Sequence, residues 1–328
     1  MKRRTFVTGV FLCVVAAPLA AKAQPAKTPV RIGFLPLGKP SNALDQSLVE
    51  AFRQGLREAG LIEDRDVLLD IVWIGSEPEI PQAVSELVQR GARLLIPNGT
   101  SASTVVKRQA TTIPILFINV GNPVGIGLVE SLSRPGGNIT GFSDMLADLS
   151  GKYVELAREL GEPQAVVNYL WYTEWADGQN RFQFSEQAAQ SLGVKLEARG
   201  IKDIAEANDI MAAMKAGGAL AVIIQPSPFT YRHRISLIDS AMNNGLGTIF
   251  GFPAAGSDGA LIAYGPDYLD TYRRAPSYIK RILAGVKPGD LPVQQPTKFK
   301  FIINLKTAKA LGLTVPQTLL ARANEVIE

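Results

Sequence analysis

The stretch LLIPNGTSAST (residues 94–104) combines a strand, a turn and the start of a helix. Four apolar residues ending at Pro97 indicate a buried strand, Asn98-Gly99 indicates a tight turn, and small hydroxyl residues open a helix that continues through VVKRQ. A helix that begins where a strand ends presents free backbone N–H groups and a partial positive charge at the sheet edge. The stretch therefore predicts an anion pocket, with simple helix capping as the alternative. Its candidate hydroxyl donors are Thr100, Ser101 and Ser103.

The first residues have the features of a secretory leader. Lys2, Arg3 and Arg4 precede the apolar run 10–19, and small residues at positions 21 and 23 fit a signal peptidase site. We therefore expect residues 1–23 to be a signal peptide, cleaved after Ala23, and the remaining chain to be soluble in the periplasm. The arginine pair also fits a twin-arginine signal, so both export routes stay open.

The composition outside this leader argues against several classes of protein. The whole chain has a formal net charge of +4, but residues 1–23 hold four basic residues and no acidic one. The remainder is therefore near neutral and lacks the basic excess of a nucleic-acid-binding protein. The single cysteine, Cys13, lies in the leader, which leaves no disulfide and no thiolate metal site beyond it. A chain of about 300 residues is long for one core, so two lobes are expected.

Short apolar strands alternate with amphipathic helices along the first part of the chain. The expected strands are 30–35, 67–73, 94–97 and 115–119, and the expected helices are 44–59, 78–90 and 101–110. This order is typical of a parallel sheet covered on both faces. Ligands of such sheets bind beyond the carboxyl ends of the strands.

The same pattern restarts after Ile139-Thr140-Gly141. The expected helices are 149–160, 181–191, 205–216, 233–243, 267–284 and 307–311, and the expected strands are 165–170, 194–199, 220–225, 247–251, 260–264 and 299–304. Two successive α/β units predict two similar lobes with a groove between them.

Five long stretches carry a family resemblance. They are FRQGLREAGL (52–61), FINVGNPVGIGLVESLSRPGGNITG (117–141), YGPDYLDTYRRA (264–275), ILAGVKPGDLPVQQPTKF (282–299) and INLKTAKALGLTVPQTLLARANEVIE (303–328). They resemble the ABC transporter substrate-binding family related to the tryptophan-binding TrpX-type proteins, over essentially the whole chain beyond the leader. The resemblance implies an α/β, type I periplasmic-binding-protein fold: two Rossmann-like lobes with parallel sheets, joined by three crossovers.

The resemblance also implies a division of the chain and a set of partners. Lobe 1 is expected to comprise residues 29–143 and 249–288, and lobe 2 residues 144–248 and 289–328. The implied protein is a monomer without a cofactor, and its partners are a small-molecule ligand and the permease and ATPase subunits of an ABC importer. Aromatic amino acids are the best-known ligands of this family.

Resemblance and the strand-end rule together nominate ligand-binding positions in the first lobe. These are Leu37, Gly38, Asn98, Gly99, Thr100, Ser101, Ala102, Gly121 and Asn122. A carboxylate at the 98–102 turn gains charge-assisted bonds from hydroxyls and helix amides, which favours Thr100 and Ser101, whereas Ser103 is expected to be structural. Many family members have Asp where this chain has Asn122, so Asn122 is equally well interpreted as a helix cap.

The corresponding positions of the second lobe are Trp171, Tyr172, Pro226, Ser227, Phe229, Gly251, Phe252, Tyr264 and Asp267. Trp171, Tyr172 and Trp175 follow a strand, where aromatic rings stack on a planar ligand or pack against the next helix. This segment departs from the Asn-Pro type of turn of the family, which favours a ligand preference of its own. Asp267 fits either a ligand ammonium or a helix N-cap.

Motifs for catalysis are missing from the sequence. The chain has one histidine, His233, and no G-x-S-x-G or H-E-x-x-H pattern. The glycines at 125 and 127 lack the third member of a dinucleotide fingerprint. We therefore predict a non-enzymatic, exported solute-binding protein without cofactor or metal, which captures an amino acid or an aromatic carboxylate for an ABC importer. The alternatives are a periplasmic sensor that presents its closed form to a membrane receptor kinase, and a periplasmic hydrolase.

Overall fold

A computed structural model of the protein describes residues 28–110, 112–161, 166–175 and 178–328. The expected signal peptide and its cleavage site lie outside these residues. Within them, every helix is too short or too polar to cross a membrane.

Strands and helices alternate along the described chain. The strands are β1 (Val30–Leu35), β2 (Val67–Ile71), β3 (Leu94–Pro97), β4 (Ile115–Val120), β5 (Ile139–Ser143), β6 (Val167–Tyr172), β7 (Leu196–Ile201), β8 (Ala221–Ile224), β9 (Gly247–Phe250), β10 (Ile262–Pro266), β11 (Phe299–Asn304) and β12 (Glu325–Ile327). The helices are α1 (Ala43–Glu58), α2 (Ile80–Gln89), α3 (Thr100–Gln109), α4 (Ser150–Leu160), α5 (Gly178–Ser191), α6 (Ala207–Ala216), α7 (Pro228–Arg232), α8 (Arg234–Asn243), α9 (Ala254–Ser257), α10 (Tyr268–Arg274), α11 (Pro276–Leu283), α12 (Leu305–Ala310) and α13 (Gln317–Leu320).

The first lobe is built on a five-stranded parallel sheet in the order β2-β1-β3-β4-β5. All residues of β3 are buried, as expected for a central strand covered by helices on both faces. On one face, Phe52 of α1 stacks on Phe34 of β1 with ring centroids 4.7 Å apart. Ile279 of α11 belongs to the same core. The carboxyl ends of the strands are left at one edge of this lobe.

The second lobe is built on a seven-stranded sheet in the order β12-β11-β10-β9-β8-β6-β7. Its paired strands run parallel, except that β10 and β11 are antiparallel. The parallel sheets that the sequence predicts are therefore present, with this one antiparallel pair as an exception. The physical reason is that the chain visits the first lobe between these strands and re-enters the sheet from the opposite end.

The chain passes between the lobes three times, after β5, after β10 and before β11. The division of the chain between the lobes differs from the expected one. The strands β9 and β10 belong to the second sheet, and only α10 and α11 return to the first lobe. The segment before β11 also differs, since Gln294 exchanges backbone hydrogen bonds with Gly141 and Ser143 of β5. The residue pattern of a strand that is buried on both faces does not indicate which sheet the strand joins. The sequence therefore could not predict the lobe to which β9 and β10 belong.

A candidate ligand-binding cleft

A cavity with an empty volume of about 570 Å³ lies between the lobes, where the carboxyl ends of both sheets face each other. This figure includes space that is open to solvent. Seven of the nominated residues line it, and Trp175 lines it as well. The seven are Leu37, Asn98, Gly99, Thr100, Pro226, Ser227 and Phe252.

The turn between β3 and α3 directs helix amides at the cavity. Gly99 occupies the N-cap position with φ of 85°, a left-handed conformation that glycine adopts without steric cost. Because glycine has no side chain, no side-chain oxygen caps the first-turn N–H groups of α3. Thr100 begins the helix and lines the cavity. The turn therefore presents backbone donors, a hydroxyl and the positive end of a helix dipole to the cleft.

The residues just inside α3 have other partners. Ser101 Oγ donates to Glu77 Oε1 at 2.6 Å, and Ala102 is buried in the core of the first lobe. Ser103 Oγ donates to the Gly99 carbonyl at 2.7 Å, which agrees with a structural residue. Ser101 and Ala102 thus face away from the cavity that Thr100 lines.

Three other nominated positions of the first lobe have local structural roles. Gly38 has φ of 116° and packs against the carboxylate of Asp45. Asn122 Oδ1 accepts a hydrogen bond from the Gly125 N–H at 2.9 Å, but the residues that follow form turns and not the helix that a helix cap requires. Gly121 does not line the cavity, but its backbone touches the guanidinium of Arg181 from the second lobe.

The aromatic residues at the end of β6 pack within their own lobe. Trp171 stacks on Phe182 with ring centroids 5.9 Å apart. Tyr172 stacks on Phe229 at 4.2 Å. Trp171 and Tyr172 therefore follow the alternative of packing against helices, whereas Trp175 lines the cavity. Phe229 was nominated for the ligand but packs against Tyr172.

The remaining nominated positions of the second lobe also lie outside the cavity lining. Gly251 packs against Pro226, and Tyr264 packs against Phe299 and Phe301. Asp267 is the N-cap of α10, where its side chain accepts from the Asp270 N–H. Its other carboxylate oxygen lies 3.4 Å from Lys300 Nζ.

Several lining residues were not nominated from the sequence. They are Leu48, Asn119, Asp144, Leu146, Arg181, Pro228, Tyr231, Tyr268 and Tyr272. Asn119 and Asp144 lie at the ends of β4 and β5, where the strand-end rule indicates them directly. The helical residues carry no comparable signal, since their approach to the cavity depends on how the two lobes meet.

One end of the cavity is polar. Asn119 Nδ2 donates to Asn98 Oδ1 at 3.0 Å, whereas Asn119 Oδ1 is buried without a partner among the described residues. Asp144 is buried, its backbone N–H donates to the Val120 carbonyl, and its Oδ1 accepts from the Leu146 N–H at 3.0 Å. Acceptors from β4 and β5 therefore lie beside the donors of the α3 turn.

The second lobe adds a cation and an indole to this polar end. Arg181 is 4% exposed, and its Cζ lies 4.8 Å from the centre of the Trp175 ring. A Cβ atom on Gly121 would stand only 2.1 Å from Arg181 Nη2, so the guanidinium lies directly against the end of β4. Glycine at 121 is what permits this close approach between the lobes.

The other end of the cavity is apolar and aromatic. Tyr231 and Phe252 meet edge to face at 5.2 Å, and Phe252 lies 6.3 Å from Tyr268. Leu37 and Leu48 complete this wall. Burial, with the nearby Asp45 carboxylate, raises the pKa of Tyr231, and burial with Asp144 raises the pKa of Tyr268. Both phenols therefore stay neutral hydroxyls.

This arrangement suits binding of a small molecule with a charged head and an apolar body. Hydroxyl, amide and indole donors meet a carboxylate and a carboxamide oxygen at one end, and rings enclose the other. Among the described residues, no three His, Cys, Asp or Glu side chains are grouped to hold a metal ion.

Two α/β lobes that enclose such a cavity at their strand ends define the class of periplasmic-type binding proteins. Residues 41–327 match the model of the ABC transporter substrate binding protein family, and the chain belongs to that family. Members bind small-molecule ligands, work with ABC transporter components and are normally extracytoplasmic. The family is one of binding proteins and not of enzymes.

Named relatives agree with this assignment. A tyrosine-binding protein of Clostridioides difficile is 24% identical over 266 residues, which are 80% of this chain and 76% of the relative. An ABC domain from Streptococcus pneumoniae, solved in complex with L-Trp, has a TM-score of 0.81 and 24% identity, covering 91% of this chain and all of that one. A ligand-free, open substrate-binding protein with adhesive properties from Clostridium difficile has a TM-score of 0.68 and 20% identity, covering 91% of this chain and 99% of that one.

Proposed function

We propose that this protein captures a free amino acid with an aromatic or large apolar side chain and delivers it to an ABC importer. The observation that carries the proposal is the polarity of the cavity, which has charge-binding groups at the ends of β3, β4 and β5 and rings at the other end. The named relatives, one called tyrosine-binding and one solved with L-Trp, support the same ligand class.

The α-carboxylate is assigned to the turn between β3 and α3. The uncapped first turn of α3 and the Thr100 hydroxyl supply donors, and the helix dipole favours a negative charge. Hydrogen bonds to a carboxylate are roughly twice as strong as those between neutral groups. Glycine at 99 allows a ligand oxygen to approach the backbone closely, since no atom lies within 4 Å of the position of a Cβ there.

The ammonium group is assigned to Asp144 and Asn119. Asp144 is a buried carboxylate that lines the cavity, and Asn119 Oδ1 is a buried acceptor without a partner among the described residues. They lie at the ends of β4 and β5, the two strands that follow β3 in the order of the sheet. Asp144 and Asn119 would thus bind the ammonium group in place of the Asp that many family members have at the position of Asn122.

Lobe closure is the proposed route from binding to delivery. A ligand that contacts both lobes favours the closed state, and the closed complex is the form recognised by the membrane subunits. In this closed complex, Tyr231 and Phe252 of the second lobe and Leu37 of the first enclose the ring of the ligand.

A thermal-shift screen of the protein without residues 1–23, followed by calorimetry, tests this proposal. We expect L-tryptophan, L-tyrosine or L-phenylalanine to raise the melting temperature, because a ligand that binds only the native state stabilises it. Aromatic carboxylates without the amine form the second arm, and nucleosides and neutral sugars form the third. A shift with sugars or nucleosides alone would overturn the proposal.

A further inference from the structure

The indole N–H of Trp175 is a buried donor that has no acceptor among the described residues. The side chain is 4% exposed and lines the cavity. A buried donor without an acceptor raises the free energy of the state that buries it, whereas an acceptor brought in by a ligand removes that penalty. Trp175 therefore favours ligands that place an oxygen against its Nε1.

A series of contacts places this donor at the polar end of the cavity. The Trp175 ring lies on the guanidinium of Arg181, 4.8 Å from Cζ, and that guanidinium touches Gly121. Gly121 is two residues beyond Asn119, whose Nδ2 donates to Asn98 Oδ1 at 3.0 Å. Asn98 directly precedes the turn that begins α3. The indole thus approaches from the second lobe the same corner that the first lobe lines with donors.

The geometry points to Trp175 as the second-lobe donor to the carboxylate of the ligand, opposite the α3 turn. The inference rests on the proposed function, since it takes the carboxylate to lie at that turn. The ligand oxygens are then held by Thr100 from one lobe and by Trp175 from the other.

This role makes Trp175 a specificity residue that also couples recognition to closure. The indole and the α3 turn contact the same ligand carboxylate only when the lobes are closed. A ligand without a carboxylate therefore lacks this contact between the lobes. Trp171, four residues earlier, serves as a matched control because its ring stacks on Phe182 in its own lobe and does not line the cavity.

The experiment compares wild type, Trp175→Phe and Trp171→Phe by calorimetry with L-tryptophan, L-tyrosine and L-phenylalanine. Phenylalanine keeps an aromatic face for Arg181 and removes the N–H donor together with part of the ring volume, a loss that the Trp171→Phe control shares. We expect Trp175→Phe to weaken binding by roughly tenfold to a hundredfold for each amino acid that wild type binds, the range for an unpaired polar group. Trp171→Phe is expected to bind as wild type does.

A second readout locates the hydrogen bond. With ¹⁵N-labelled protein the three tryptophans give three indole signals, and the Trp175 signal is identified by its loss in Trp175→Phe. Addition of ligand is expected to move this indole proton downfield, as hydrogen bonding to a carboxylate does, while the Trp171 signal stays in place. Melting temperatures of the unliganded variants show whether each is folded.

The outcomes separate the two proposals. Wild-type protein that binds none of the three amino acids overturns both. Binding by wild type with equal affinity in Trp175→Phe, or an unmoved indole signal, overturns the inference about Trp175 alone. If Trp175→Phe loses affinity for tyrosine and keeps its affinity for phenylalanine, the indole binds the ring hydroxyl of tyrosine. This result also overturns the inference that Trp175 donates to the carboxylate.

Discussion

The hydroxyl of Tyr231 in the second lobe donates a 2.7 Å hydrogen bond to Oδ1 of Asp45 in the first lobe. Tyr231 is 9% exposed and Asp45 is 5% exposed, so this bond is shielded from water. The other oxygen of Asp45 accepts from the Lys39 N–H at 2.9 Å, and Asn42 caps the start of α1 at Asp45. The bond joins the lobes directly beside the cavity, so it stabilises the arrangement in which the lobes meet.

Tyr231→Phe is expected to weaken ligand binding by about 1.5–3 kcal/mol, the usual contribution of a hydrogen bond to a charged group. The phenol–carboxylate bond forms only when the lobes meet, so its removal shifts the population towards the open form. Calorimetry measures the affinity, and small-angle scattering measures closure.

Tyr278→Phe is the control for this prediction. Its hydroxyl donates to the Pro292 carbonyl at 2.6 Å, and both residues lie in the first lobe. We expect a lower melting temperature and an unchanged affinity. Equal losses of affinity in the two variants would show that the Tyr231 bond has no special part in closure.

Thr100→Val is expected to weaken binding of an amino acid by about 1–3 kcal/mol, because a ligand oxygen then faces a methyl group in a buried site. Ser101→Ala is the matched control, since Ser101 Oγ donates to Glu77 Oε1 at 2.6 Å. This substitution is expected to change stability and to leave the affinity unchanged. Calorimetry on both variants decides the prediction. An affinity of Thr100→Val equal to that of wild type would remove the carboxylate from this turn.

Gly121→Ala is expected to reduce affinity by at least about tenfold while leaving the unliganded first lobe folded. The new Cβ would stand 2.1 Å from Arg181 Nη2 of the second lobe, so closure requires a displaced guanidinium. Gly151→Ala is the control, because its Cβ would meet only Ala188 at 3.4 Å, an ordinary contact. Alanine in that helix should stabilise the protein by up to about 1 kcal/mol. Similar affinities in both variants would contradict the prediction.

His233 is expected to make stability depend on mildly acidic pH. Burial, followed by the charge of Arg232, lowers its pKa in the folded protein, so the native state favours the neutral imidazole. The stability that this provides is present above the unfolded pKa of about 6.5 and is lost as the pH falls below it. His233→Gln should therefore show a smaller fall in melting temperature than wild type between about pH 7.5 and about pH 5.5. Parallel curves for the two proteins would contradict this.

The strand-to-helix turn at residues 94–104 was predictable because its signals are local. Pro97 ends an apolar run, Gly99 is required by a positive φ, and Thr100 begins the helix, as the structure shows. The same rule, applied to β4 and β5, would have indicated Asn119 and Asp144. These parts of the cavity can be predicted because their positions follow from a few neighbouring residues and from the parallel order of the strands.

The residues contributed by helices could not be placed in this way. Trp171 and Trp175 lie in one short segment, yet the first packs on Phe182 and the second lines the cavity. Tyr268 and Tyr272 reach the cavity because the chain leaves the second lobe just before them. Such positions depend on the path of the chain between lobes, which no local pattern reports.

The return of α10 and α11 to the first lobe has a consequence for the order of folding. Ala275 and Ile279 cover the face of α1 that carries Phe52 and Leu56, although they follow it by more than 200 residues. A chain emerging from its amino end therefore holds an incomplete first lobe until the late helices exist. We therefore expect a fragment consisting of residues 28–143 to expose the face of α1 that these late residues cover, and to be prone to aggregation.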